Sequence, residues 1–150
     1  VKEKSGESLS LAIKAIARRL GLPRLVLLKP NRSATELVAS AAIGDNADAI
    51  AEVLRFELTP YRANGDIFSR AFHSKKDIVV KDSYSEKYDG QVPTQYFEAV
   101  GSPAFAVLVC QNGNGEPALL LGDVSDAEEL PSRVELGAVA ELKKLLAKSA

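Results

Sequence analysis

The 150-residue chain contains no methionine, no tryptophan, one cysteine and one histidine, and each scarcity excludes something. Cys110 has no internal partner for a disulfide, and a lone thiol inside an apolar run fits a reducing compartment, so the cytoplasm is the expected location. A metal centre built from histidine and cysteine would need more ligands than His73 and Cys110 provide, so no metal is expected. No apolar run approaches the roughly 18 residues of a membrane span. The charged opening Lys2-Glu3-Lys4 has no signal-peptide core behind it. A formal net charge of −1 and a pI of about 5.9 give no general attraction to nucleic acid or to an anionic membrane, and neither is an expected partner. There is no Gly-rich phosphate loop, HExxH, cysteine pair or nucleophile elbow. Because an unprocessed translation product carries an initiating methionine, a chain that begins at Val1 and holds none reads as a domain cut from a longer polypeptide.

What is present is apolar and patterned. With 46% hydrophobic residues the chain has enough to bury one core, and a single domain over residues 1–150 is expected. Its strongest local signal is Gly101 to Asp123. Two apolar runs, Ala104 to Cys110 and Ala118 to Leu121, flank Gln111-Asn112-Gly113-Asn114-Gly115-Glu116-Pro117. Asn and Gly tolerate the positive φ of a chain reversal, and Pro117 cannot donate a ladder bond, so it suits a strand's first residue. The spacing predicts a hairpin turning at Asn112 to Gly115. Its runs are nearly continuous rather than alternating, which predicts two strands covered on both faces at the centre of a sheet.

Around this hairpin the pattern switches between helical and strand periods. Leu9, Ala12, Ile13, Ile16, Ala17 and Leu20 form one stripe of a helix from about Ser8 to Leu20, stopped by Gly21 and Pro23. Leu25 to Leu28 and Glu36 to Ile43 read as strands joined by Asn31-Arg32-Ser33. Asp45-Asn46 can cap a short helix with Ile50, Val53 and Leu54, ahead of an irregular Thr59-Pro60-Tyr61. Asn64-Gly65-Asp66 opens a helix through Ile67, Phe68, Ala71 and Phe72, which Ser74-Lys75-Lys76 closes. A third strand follows at Asp77 to Lys81, then a polar stretch from Asp82 to Pro93. Thr94 can cap a short helix with Tyr96, Phe97, Ala99 and Val100. After the hairpin, Ser132-x-x-Glu135 forms a capping box for a last helix carrying Leu136, Val139, Leu142, Leu145 and Leu146. Too few strand–helix alternations exist for a doubly wound fold. The expected class is α+β, an antiparallel sheet of five to six strands with the terminal helices on one face and the short aromatic helices on the other.

This succession resembles a GAF domain, the small-molecule sensing and dimerisation domain of many signalling proteins. The likeness lies in Asp66-Ile67-Phe68-Ser69-Arg70-Ala71-Phe72, Asp77-Ile78-Val79-Val80-Lys81-Asp82, Val92-Pro93-Thr94-Gln95-Tyr96-Phe97, and Ala104 to Gly122. The resemblance implies a profilin-like sheet in the order 2-1-5-4-3, a pocket under the short helices, and dimers through the terminal helices. Leu119-Leu120-Leu121-Gly122-Asp123 also resembles GAF-like domains found beside HD-related output domains in bacterial signalling proteins.

Eight of the nine aromatic residues lie between Phe56 and Phe97. One reading is a ligand pocket lined by Phe68, Phe72, Tyr96, Phe97 and Phe105, with Asp82 and Ser83 as polar contacts at its mouth. The other is an aromatic core beneath short helices. His73 reads as a helix-end residue near the negative dipole rather than a haem ligand. Cys110 sits in a strand, away from the loop in which bilin-binding GAF relatives attach their pigment, so no cofactor is expected. The Asn-Lys, Phe and Asp-Glu signature of cyclic-nucleotide-binding relatives is missing in order. The expected function is a non-catalytic regulatory domain that binds a small molecule or relays a partner's state to an output domain in the same chain. Alternatives are a degenerate domain that only dimerises, or a GAF-type methionine sulfoxide reductase. Those reductases resemble this chain but carry cysteines in the ligand loop, and Asp82 to Pro93 has none. Leu11, Ala15, Ala138 and Ala140 lie beside the main stripes of the terminal helices, so two copies are expected to pair there as a four-helix bundle.

Overall fold

The computed structural model describes residues 2–58, 66–111 and 117–149, with side chains described for 10–58, 66–111, 117–132 and 135–144. The strands are β1 (Arg24–Pro30), β2 (Glu36–Gly44), β3 (Arg55–Glu57), β4 (Ile78–Val80), β5 (Ala104–Gln111) and β6 (Pro117–Val124). They pair antiparallel throughout, in the order β3-β2-β1-β6-β5-β4. Without β3 at the edge this is the order 2-1-5-4-3 that the resemblance implies. Phe56 is the one buried residue of β3, between exposed Arg55 and Glu57, and so short an alternation leaves almost no sequence signal.

The hairpin forms as expected, with Val107 opposite Leu121 and Leu108 opposite Leu120, while its turn at Asn112 to Gly115 lies outside the described residues. Its place in the sheet differs by one position. The middle pair is β1 and β6, and β5 stands one strand in from the β4 edge. β1 is covered on both faces as the hairpin strands are, with Leu25 to Leu28 all buried.

Alternation along β1, β5 and β6 divides the interior in two. Val26, Leu28, Phe105, Val107, Leu119 and Leu121 point into one layer, with Phe56, Phe68 and Tyr96. Leu25, Leu27, Ala104, Leu108, Cys110, Ala118 and Leu120 point into the other, with Ile13, Ile16 and Val139. The first layer is covered by α2 (Ala47–Val53), α3 (Ile67–Ser74) and α4 (Thr94–Ala99). The second is covered by α1 (Lys2–Leu20), α5 (Arg133–Ala138) and α6 (Ala140–Ser149).

The helix ends follow their sequences, with corrections at α1, α2, α4 and the last helix. α1 begins earlier than the stripe suggests and ends in two carbonyl-capping bonds, Leu22 N to Ala17 O at 2.9 Å and Gly21 N to Arg18 O at 3.2 Å, with Gly21 at φ +69°. Asp66 caps α3 through Ser69 N at 2.9 Å, and the capping box at Ser132 and Glu135 forms. Asn46 precedes α2 in a left-handed conformation with no side-chain cap bond, and Val53 is exposed rather than core. Pro93, not Thr94, holds the cap position of α4. The single last helix is broken: Val139, fully buried, sits between α5 and α6 with φ −92° and ψ 8°. The poor helix former Gly137 lies just before the break. Leu145 and Leu146 lie outside the described side chains.

Candidate functional site

The aromatic residues meet between the sheet and the short helices. Phe68 of α3 stacks on Phe56 of β3 with ring centroids 4.0 Å apart and on Phe105 of β5 at 5.8 Å. Tyr96 of α4 lies 4.5 Å from Phe105. All four side chains are fully buried, and their contacts fill the centre of the layer. Phe97 and Phe72 are half-buried at its rim. Phe97 packs edge-on to Tyr96 at 5.5 Å and reaches Tyr84 at 5.0 Å. Phe72 lies against the same cluster, beside His73.

A polar network continues the layer at one end of the sheet. Tyr96 donates its hydroxyl to Ser102 O at 2.7 Å, and burial pushes its ionisation well above the usual range, so it stays a donor. Ser102 Oγ donates to Asp123 Oδ2 at 2.5 Å. Asp123, 4% exposed, receives both Nε and Nη2 of Arg24, the former at 2.8 Å, and Arg24 Nη1 donates to Asp45 O at 2.9 Å. Such a fork satisfies both carboxylate oxygens and holds the charge in a buried place.

The same end anchors the polar stretch after β4, which forms a strap across the layer. Ser83 N donates to Pro103 O at 2.6 Å and Ser83 Oγ to Ser102 O at 3.0 Å. Tyr84 Oη donates to Gly101 O at 2.8 Å. The far end is fixed by Ile67 N to Gln91 O at 2.8 Å and Arg70 Nη1 to Gln91 Oε1 at 2.5 Å. Gly101 holds φ +72°, and a Cβ there would sit 3.2 Å from Phe97 O.

The seven residues expected at a pocket therefore occupy three kinds of place. Phe68, Tyr96 and Phe105 form the packed centre, and Phe72 and Phe97 form the rim. Asp82 is exposed and turns the chain by accepting from Tyr84 N at 3.0 Å, while Ser83 is buried with both its donors used on the carbonyls of Pro103 and Ser102 ahead of β5. Arg24, Asp123, Ser102 and Tyr84 were not anticipated. Their only trace in sequence is a lone charge at the end of each of two apolar runs, Arg24-Leu-Val-Leu-Leu and Leu-Leu-Leu-Gly-Asp123.

Cys110 is buried on the opposite face, its Sγ 3.5 Å from Ala118 O, and burial pushes its thiol up to about 12. That disfavours the thiolate on which cysteine chemistry depends. Among the described residues no group of His, Cys, Asp and Glu is placed to hold a metal, and no helix is long and apolar enough to cross a membrane.

No protein-family profile and no curated protein matches the chain. Solved structures do. The GAF domain of a phosphoenolpyruvate-protein phosphotransferase from Coxiella burnetii has a TM-score of 0.70 at 14% identity, covering 95% of this chain and 80% of that one. A GAF domain/HD domain protein from Geobacter sulfurreducens has a TM-score of 0.70 at 7% identity, covering 95% and 89%. A type II free methionine-R-sulfoxide reductase from Thermoplasma acidophilum has a TM-score of 0.64 at 15% identity, covering 97% and 92%. Identities this low speak to architecture rather than activity. The chain has the fold of the GAF domains.

Proposed function

We propose that the chain is a sensory or regulatory domain of a signalling protein, without catalysis of its own, that takes a small molecule beneath the strap running from Ser83 to Gln91. The observation that carries this reading is the division of one sheet into two interiors. Alternate residues of β1, β5 and β6 belong to the aromatic layer and to the layer under the terminal helices, so a rearrangement on one face is felt through the same strands on the other. Binding changes such a domain only by favouring one of two conformations. The strap is the element suited to having two, since it is held at both ends by discrete hydrogen bonds and its Tyr84 packs on Phe97. Opening it would give a ligand apolar ring faces with Asp82 and Ser83 at the mouth, and the candidate contacts stay Phe68, Phe72, Asp82, Ser83, Tyr96, Phe97 and Phe105. The output would pass through the terminal helices to a further domain of the same polypeptide.

The reductase reading draws on one neighbour's fold, but the single thiol of this chain lies on the other side of the sheet, buried and held protonated. Native mass spectrometry of the protein as purified, with thermal-shift titration of metabolite panels, tests the proposal. A bound small molecule, or a compound whose stabilisation is lost in Phe97→Ala, is the expected result. No bound mass and no stabilising compound, with hydrogen exchange across 82–93 as slow as in the β5–β6 hairpin, would leave a domain that only associates.

A further inference from the structure

α1 carries two stripes. Ala12, Ile13, Ile16, Ala17 and Leu20 are buried against the sheet. The second stripe, Leu11, Lys14, Ala15 and Arg18, recurs at i, i+3, i+4 and i+7 and lines a groove of about 580 Å³, together with Arg19 and with Leu142 of α6. Leu11 is 65% exposed, a large apolar side chain left without cover. Lys14, Arg18 and Arg19 are exposed, and among the described residues no carboxylate pairs with any of them. On the neighbouring helix the pattern is the opposite, since Lys143 is paired with Asp77 and Lys144 with Glu141. The groove thus combines an apolar floor with three cations that no described carboxylate pairs, in a chain whose overall charge is −1.

We propose that this groove docks an acidic amphipathic helix of a partner protein, with leucine-like residues on Leu11, Ala15 and Leu142 and carboxylates against Lys14, Arg18 and Arg19. A helix laid along α1 from Leu11 to Arg19 meets about 12 Å of wall, roughly two turns, which suits anchors at i, i+3 or i+4, and i+7. Charge separates this occupant from its rivals. A second copy, paired about a two-fold axis through the groove, would answer the apolar residues but set three cations against three more, and like charges brought together oppose association. An anionic bilayer would need a broad apolar face to bury, whereas here one large apolar side chain stands at the lip of a concave surface. The inference concerns only this face and does not rest on the ligand reading.

Fluorescence anisotropy tests it with the whole chain and a labelled designed helix of about 20 residues bearing leucines at the anchor spacing and glutamates beside them. Saturable binding is expected, weakening at least about tenfold between 50 mM and 300 mM salt. Lys14→Glu with Arg18→Glu is expected to weaken it by about as much at low salt, and Leu11→Ala to weaken it with an unchanged salt dependence. These positions are exposed, so the unfolding midpoints should match the parent. Equal binding of a peptide with glutamine for every glutamate overturns the proposal, as does no binding at about 1 mM peptide. So does capture by phosphatidylserine–phosphatidylcholine vesicles without capture of the peptide. Light scattering gives the last arm: an unchanged mass in the double charge variant is expected, and a dimer of the parent chain that the variant abolishes would assign the groove to a second copy.

Discussion

Arg24 and Asp123 face each other across β1 and β6, two residues beyond the Val26–Leu121 pair on each strand, with Nε 2.8 Å from Oδ1. The pair joins the sheet's centre to the start of α2 through Asp45 O and to the strap through Ser102. Their side chains are 16% and 6% exposed, so removing one partner strands the other's charge in a poorly hydrated place. Asp123→Ala is expected to cost about 3 kcal/mol in urea unfolding, and Arg24→Met with Asp123→Leu to cost less than that single change. The reverse order would show that the pair acts through packing alone. Hydrogen exchange within 82–93 should quicken in Asp123→Ala, because Ser102 loses its acceptor.

The aromatic layer should respond unevenly to truncation. Phe68 is fully buried and stacked on two rings, whereas Phe72 is half-buried. Phe68→Ala is expected to destabilise by about 3–5 kcal/mol and Phe72→Ala by clearly less. Equal losses in chemical denaturation would place Phe72 in the core rather than on its rim.

Asp66 gives a pH dependence of definite sign. Burial is the largest cause raising its ionisation above 3.8, partly opposed by the amides of Ser69 and Phe68. The folded state therefore holds this proton more tightly than the unfolded chain does. The associated stability is complete below 3.8 and is lost as pH rises through the higher folded value. Asp66→Asn keeps a cap without the titration, so its unfolding free energy should lack this decline when both proteins are followed upward from that pH. Parallel pH profiles would refute the assignment.

Cys110 should be silent in the native protein. With its thiol buried and shifted up to about 12, a disulfide reagent at mildly alkaline pH is expected to react slowly until the chain unfolds, and then to release one equivalent per chain. Rapid native reaction would mean that β5 and β6 part near Cys110 far more readily than their buried pairing implies.

Much of the architecture is local in origin and so could be read from the chain. Continuous apolar runs at Leu25 to Leu28, Ala104 to Cys110 and Ala118 to Leu121 specify strands covered twice, because neither side of such a strand has polar atoms to offer water. The stripe of α1, the stop at Gly21, the cap at Asp66 and the box at Ser132 act within a few residues of themselves, and period and capping chemistry determine them. What the tertiary structure decided depends on residues distant in sequence. Strand order made β1 rather than β5 the partner of β6 at the centre, since pairing preference does not distinguish two equally apolar strands. Phe56 became a stacking partner of Phe68 only because β3 closed the sheet's edge. Arg24 met Asp123 from 99 positions away in the chain, and neither charge carries a local mark of that contact. The last helix breaks at Val139, where its apolar periodicity runs on unbroken. Charge type was legible at Lys14, Arg18 and Arg19, but that no described carboxylate meets them around Leu11 follows from how α1 and α6 lie together, which no residue determines alone.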